Sequence, residues 1–350
     1  MNRTAAAQPH EFIDTTTPVA SVTNLSIRFP TLDGTAELRA VDDVSFDIRH
    51  GETFGIIGES GSGKSTIGRV LAGLLAPSDG TVQFDGTDRA TLSRRKWRSF
   101  RRAFQMIFQD PSAALNPRMT ILDSLLEPMR FMGGMDSAEM RSRALDALER
   151  VGLRRDLALR YPHELSGGQK QRVNIARILP LSPKLVVCDE VVAALDVSIR
   201  GEILNLFVEL QRDLGLAYAF IAHDIAIVAQ ISDRIAVTYL GKFMELGLTD
   251  DVIDRPLHPY TIALMSAEPQ PLPAHLRNRT RLRLEGDIPS PLDPPGGCRF
   301  HTRCPWATEI CRTEAPEWRE LRPDHYTACH HTTPDGLPPL PDRTGEKGAA

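Results

Sequence analysis

Apolar and polar residues alternate over 22–29 with the period of a half-buried strand, and 40–48 and 53–57 read as two further strands. The pattern then breaks at the glycine-rich run from Gly58 to Gly63, and helical spacing resumes over 64–75, giving the order strand, glycine loop, helix. A basic stretch at 94–102 precedes a short apolar segment at 106–108 and a turn-rich segment at 109–117. Helical patterns over 121–132 and 138–151 make the middle of the chain largely helical. After Ser166 a helix runs to about 179, where Pro180 removes a backbone donor and stops it. A buried strand at 185–188, a helix at 199–214 and a strand at 217–222 follow, the alternation of a parallel α/β sheet, with one more strand at 234–239. From about 258 the composition shifts: proline-rich segments at 269–273 and 289–295 and a tail rich in Pro, Gly and charge suit a linker, a small cysteine module and a disordered end. No internal repeat is present.

The chain's 350 residues give room for one large domain with an appendage, or for two modest domains. A formal net charge of -4, from 41 basic and 45 acidic residues, supplies no overall basic field, so nucleic acid is not an expected partner. Residues 1–20 lack a basic start followed by an apolar run and read as a flexible leader rather than an export signal. The most apolar stretches, 184–197 and 217–231, are interrupted by Asp, Glu or His well short of the ~20 apolar residues of a membrane span. Membrane association is therefore expected only through a partner. Of the five cysteines, Cys188 stands alone in an apolar strand and reads as a small core residue, while Cys298, Cys304, Cys311 and Cys329 crowd the C-terminal part. Without export, that crowding suggests metal rather than disulfides.

Gly58-Glu59-Ser60-Gly61-Ser62-Gly63-Lys64-Ser65 fits G-x-x-x-x-G-K-[ST], with Thr66 next at the helix start. Small residues let successive backbone N–H groups close around phosphate oxygens, and the following helix adds positive potential. Lys64 is expected to reach the β- and γ-phosphates of ATP, and Ser65 to offer its hydroxyl to Mg²⁺. The buried strand at 185–188 runs into Asp189 and Glu190. Asp189 suits the metal, and Glu190 then lies beside the γ-phosphate to orient or deprotonate the attacking water.

Leu165-Ser166-Gly167-Gly168-Gln169 has capping-box spacing and glycines that leave N–H groups open at a helix start, a second anion-binding end. Together with the phosphate loop it resembles the signature motif of ABC ATPases, and the chain is identified as a member of that family. The resemblance implies an α/β fold: a P-loop ABC ATPase with a mixed sheet core, a helical subdomain at about 110–165 and a small C-terminal cysteine-containing extension. It implies a nucleotide-binding domain over 21–257, an extension over 258–331 and a tail over 332–350. It also implies that Ser166, Gly167, Gly168, Gln169 and the D-loop Asp196 act in trans, closing over ATP held by another subunit. Gln109 in Phe-Gln-Asp-Pro resembles the Q-loop, touching Mg²⁺, and His223 in Ile-Ala-His-Asp the switch histidine. The catalytic set implied is thus Glu190, His223, Gln109 and Lys64. Phe29 is read either as the aromatic that stacks on adenine or as a core residue.

Within the family, the segment from Phe108 to Met119, the Leu-Asp-Val-Ser after the D-loop and His258-Pro-Tyr-Thr resemble oligopeptide/dipeptide importer ATPases, over roughly 20–330. The second of the two paralogous ATPases of such importers is the nearer match, because Val191-Val192 replaces the usual Pro-Thr or Pro-Val. The resemblance implies a peripheral protein at the cytoplasmic face of the cell membrane. Its implied partners are a paralogous ATPase in a heterodimer, two membrane permeases and an extracytoplasmic solute-binding protein. Ala193 stands where the D-loop usually has Ser, which leaves open whether the two ATP sites of the pair are equivalent, while Lys64, Asp189, Glu190 and His223 are all retained, so catalytic competence is expected. A soluble ABC ATPase without a permease and a non-hydrolysing nucleotide-sensing subunit are the competing readings. The spacing Cys298-x5-Cys304-x6-Cys311-x17-Cys329 provides four thiols without a CxxC pair, leaving zinc and an iron–sulfur cluster open. The resemblance favours a [4Fe-4S] cluster. His301, His325, His330 and His331 lie nearby in sequence and are read as solvated rather than as ligands.

Overall fold

The computed structural model describes residues 17–31, 34–267, 282, 284 and 286–340. The expected leader lies outside these up to residue 16, the expected tail from 341 onward, and the proline segment at 269–273 entirely. Strand β1 (Ala20–Pro30) pairs antiparallel with β2 (Glu37–Ile48). Strand β3 (Thr53–Ile57) ends at the glycine loop, and α1 (Lys64–Leu71) leaves it. That helix stops at Leu71 rather than at 75 because Gly73 turns left-handed, φ +67°, and Leu74 N–H reaches back to Arg69 O at 2.8 Å. A Cβ at position 73 would also meet the Trp97 ring at 2.2 Å, so the stop is built into the packing.

Two strands that the sequence pattern did not predict, β4 (Asp79–Phe84) and β5 (Thr87–Asp88), complete a four-stranded antiparallel sheet of order β2-β1-β4-β5. The basic stretch forms α2 (Arg94–Phe100), started by Ser93 accepting from Lys96 N–H, and β6 (Phe104–Ile107) follows. Two amphipathic helices, α3 (Ile121–Met132) and α4 (Ser137–Arg150), pack with α5 (Gly167–Ile178) as the helical part. Thr120 and Asp136 cap α3 and α4, and α5 passes into a 3₁₀ turn at Leu179–Leu181, as Pro180 requires. Then come β7 (Leu185–Asp189), α6 (Val197–Leu214), β8 (Ala217–Ala222), α7 (Ile225–Ile231) and β9 (Arg234–Tyr239).

Strands β6, β7, β8, β3 and β9 lie side by side and parallel, and β3, β7, β8 and β9 are buried along their whole length. Because side chains alternate across a strand, each buried strand feeds two cores. Leu185, Val187, Ala219 and Ile221 face the core shared with α1 and the antiparallel sheet, while Val186, Cys188, Tyr218 and Phe220 face the core of the helices. Cys188 is wholly buried, and burial pushes its thiol well above the usual range, in keeping with a core role.

The C-terminal region extends this same sheet. Strand β10 (Lys242–Leu248) leads into α8 (Thr249–Asp254) and α9 (Pro259–Ala267); α10 (Glu309–Thr313), β11 (Arg319–Arg322) and β12 (His325–Thr327) return, and β12 pairs with β10. Glu245, inside β10 and fully buried, accepts from Leu257 N–H at 2.7 Å and His258 N–H at 2.9 Å, with His325 Nε2 at 2.7 Å. One carboxylate thus ties both sides of position 257 into one packed unit. The solvated reading of the histidines is corrected at His325, which is buried against Glu245 because β12 lies inside the sheet.

Candidate functional site

The phosphate loop joins the buried end of β3 to α1. Gly63 caps α1 with φ +99°, and a Cβ there would meet Ala40 O at 2.2 Å, so only glycine brings the loop this close to β2. Lys64 is 5% exposed, its Nζ donating to Gly58 O at 2.7 Å and Glu59 O at 2.9 Å. Burial lowers its pKa, opposed by the carboxylates of Glu190, Asp189 and Glu59. Ser60 and Gly61 are exposed at the loop tip, Ser62 is buried, and Ser65 and Thr66 are half-buried in the first turn of α1.

Parallel pairing of β7 beside β8, and of β8 beside β3, brings the end of β7 to this loop. Ser65 Oγ donates to Asp189 Oδ1 at 2.9 Å. Burial raises the Asp189 pKa, while the Ser65 hydrogen bond and the charges of Arg69 and Lys64 lower it. A hydroxyl and a partly desolvated carboxylate form a hard oxygen donor set that fits Mg²⁺. Glu190 adopts φ +50°, a conformation non-glycine residues rarely take, while its N–H bonds Ile221 O at 2.9 Å. The turned carboxylate accepts from Gln109 Nε2 at 2.7 Å and lies 3.9 Å from His223 Nδ1. Gln109 and His223 are exposed, on segments following β6 and β8. Lys64, Ser65, Asp189, Glu190, Gln109 and His223 therefore lie around one site.

Ser166 and Gln169 form the expected capping box: Gln169 N–H donates to Ser166 Oγ at 3.3 Å and Ser166 N–H to Gln169 Oε1 at 3.0 Å. Ser166 and Gly167 are exposed, while Gly168 is buried, where a Cβ would meet Ile199 Cγ2 at 2.9 Å. Asp196 caps α6 without a side-chain bond and is exposed beside Val197, which is 82% exposed. Ala193 O accepts from Arg200 Nη2 at 3.2 Å. Phe29, half-buried near the end of β1, packs against the core shared by the two sheets.

Sequence reasoning missed the groups that hold the phosphate loop from behind. Tyr260 Oη accepts Glu59 N–H at 2.8 Å, Arg303 donates to both Glu59 carboxylate oxygens at 2.7 and 3.1 Å, and Thr238 Oγ1 and Gly241 N–H donate to Ser62 O at 3.0 Å each. These partners lie 176 to 244 residues away along the chain, beyond any local pattern. The one available signal was Tyr260 itself, inside His258-Pro-Tyr-Thr.

All four C-terminal cysteines are free thiols in a compact knot, where Cys298 N–H donates to Cys311 O at 2.8 Å and Arg319 to Cys329 O at 2.7 Å. Burial, with a smaller contribution from the neighbouring thiols, pushes Cys298 up to about 11 and Cys304 up to about 12. His331 Nε2 lies 3.2 Å from Cys311 Sγ. Among the described residues, no three His, Cys, Asp or Glu side chains form a group that could hold a metal ion.

Carboxylates at the end of a buried parallel strand, beside a glycine loop that joins a strand to a helix, are the equipment of a P-loop nucleotide hydrolase. A family model described as ABC transporter matches residues 41–193, and one described as oligopeptide/dipeptide transporter, C-terminal region, matches 244–311. A Brucella ovis protein named as a peptide import ATP-binding protein is 51% identical over 315 residues, 90% of this chain and 98% of the relative. The oligopeptide transport ATP-binding protein AppF of Bacillus subtilis is 49% identical over 295 residues, 84% of this chain and 90% of its own. Among solved structures, a dimeric post-hydrolysis ATP-binding cassette bound to ADP and Pi aligns with TM-score 0.59 and 30% identity, covering 66% of this chain and 98% of that one. The cbiO1 subunit of an ABC transporter complex from Clostridium perfringens aligns at 0.61 and 31%, covering 68% and 92%. The chain belongs to the ATP-binding subunits of ABC transporters and is an ATPase of the α/β P-loop cassette fold. No helix among the described residues is long and apolar enough to cross a membrane.

Proposed function

We propose that this chain is a motor subunit of a peptide importer, contributing to each ATP site of a cassette pair only half of the groups needed. The carrying observation is that Lys64, Asp189, Glu190, Gln109 and His223 converge within the chain, while the capped start of α5 at Ser166 presents its open N–H groups to solvent. In this reading Gly58–Ser65 hold the phosphates of ATP, Phe29 flanks the adenine, and Ser65, Asp189 and Gln109 hold Mg²⁺. Mg²⁺ supplies charge neutralisation at the phosphate oxygens. Glu190 takes the proton of the attacking water, and Gln109 and His223 keep its carboxylate turned toward that water. The partner's signature motif closes the site, and Ser166–Gln169 with Asp196 do the same for the partner; the exposed Asp196 and Val197 suit such an interface.

Peptides are the solute by the names of the relatives and by the C-terminal match over 244–311. Two permeases, a paralogous ATPase and an extracytoplasmic binding protein complete the assembly, which holds this subunit at the cytoplasmic membrane face. A groove of about 210 Å³ beside β6, with Phe108 49% and Phe131 60% exposed, suits the permease contact. Ala193, lacking a hydroxyl in the D-loop, supports unequal sites in a heterodimer. Purification of the complex from native membrane is expected to recover both permeases and a second ATPase, with ATPase activity raised by binding protein loaded with di- or oligopeptide. A preparation without permeases overturns the reading, and stimulation by a non-peptide solute overturns the choice of peptide.

The cysteine knot we assign to a structural [4Fe-4S] cluster. Its support is the donor set itself: Cys298, Cys304, Cys311 and Cys329 are free thiols, the number and type of ligand such a cluster takes, and burial keeps Cys298, Cys304 and Cys329 protonated until a metal displaces the proton. Anaerobically purified protein is expected to contain about four iron and four sulfide per chain, lost in Cys304→Ser. Zinc alone at stoichiometric level contradicts the cluster.

A further inference from the structure

The turn between Cys298 and Cys304 carries two arginines, and both lead to the phosphate loop. Arg303, its side chain 10% exposed, forks onto both carboxylate oxygens of Glu59, the second residue of the loop. Arg299 donates to Asp42 and to Leu240 O, and the next residue, Gly241, donates its N–H to Ser62 O at 3.0 Å. Between the arginines, Phe300 packs on Tyr260 and Tyr239 at ring separations of 5.2 and 5.3 Å, and Tyr260 Oη takes the Glu59 N–H. Glu59 is thus held at its side chain by Arg303 and at its main chain by Tyr260, both from the C-terminal region.

We propose that Arg303 is a positioning residue for ATP: by fixing Glu59 from behind, it keeps the phosphate loop in the one conformation whose N–H groups converge. The loop's own bonds, from Lys64 Nζ to Gly58 O and Glu59 O and from Ser62 N–H to Glu59 O at 3.2 Å, leave its tip and the Glu59 side chain unsupported. Ser60 and Gly61 are exposed, and a Cβ at Gly61 would meet nothing within 4 Å, so the tip has no packing of its own. An unclamped glycine loop samples many conformations, and apparent ATP affinity falls with the fraction that is competent. Chemistry at Glu190, just beyond the end of β7, is untouched. The C-terminal module therefore sets nucleotide affinity rather than turnover.

This inference rests on the nucleotide reading of the loop, and the variants separate the two. The full-length chain is titrated with ATP by calorimetry, and hydrolysis is measured in the assembled transporter. Arg303→Met is expected to raise the Kd and KM for ATP about tenfold, with kcat at saturating ATP within about twofold of wild type. Arg303→Lys, with one contact instead of two, recovers part of the loss. Glu59→Gln, which leaves the cysteine module intact, weakens binding similarly, and the double variant binds no more weakly than the weaker single one. ATP affinity in Arg303→Met within about twofold of wild type, or losses that multiply in the double variant, overturns the proposal. If Lys64→Ala binds ATP as wild type does, the nucleotide reading fails and the proposal with it; if Lys64→Ala abolishes binding while Arg303→Met does not weaken it, only the proposal fails.

Discussion

Glu190→Gln lowers hydrolysis at this chain's own ATP site by about 100-fold or more, while ATP binding is retained. The carboxylate is the one group at the site that is turned by a strained backbone, φ +50°, toward Gln109 and His223. Gln keeps its size and its contact with Gln109 but cannot take the proton of the attacking water. In the proposed pair the second site would release phosphate separately, so release per complex drops by about half or more, according to how strongly the sites are coupled. Phosphate release per assembled transporter is the measurement. Unchanged turnover would make this chain a nucleotide-sensing subunit whose partner does the chemistry.

The second large effect comes from a residue that touches neither Lys64 nor Glu190 in this chain. Ser166→Arg removes the Oγ that accepts Gln169 N–H and puts a bulky cation over the open end of α5. The lost cap costs about 1 kcal/mol of stability, and the exposed side chain meets no packed neighbour, so the chain remains folded. On the proposed pairing, hydrolysis at the partner's ATP site nonetheless falls by about 100-fold, and release per complex by about half or more, because this helix start would supply donors to the phosphate held there. Thermal unfolding close to wild type together with lost turnover separates this from misfolding.

The central strands were legible because burial on both faces leaves short apolar runs ended by chemistry: 185–188 before Asp189, and 217–222 before His223. The site followed, since parallel strands deliver their carboxyl ends to one edge. Strand β10 was hidden by Glu245, a carboxylate in the middle of a buried strand whose partners, His258 and His325, come from later in the chain. Strand β4 shows apolar positions only at Val82 and Phe84, too few for a pattern to stand out. The support of the phosphate loop was illegible for the same reason as β10: Arg303 and Tyr260 meet Glu59 only once the sheet has brought them there.

That each ATP is held between two subunits is the account's central claim, and photolabelling tests it most directly. The transporter is trapped with vanadate and an azido-ATP, and the label on each ATPase is read separately on a gel. Lys64→Ala in this chain is expected to remove label from this chain, whereas Ser166→Arg removes it from the partner ATPase and spares this one. Loss of label from this chain in Ser166→Arg, with the partner's label intact, would contradict the account.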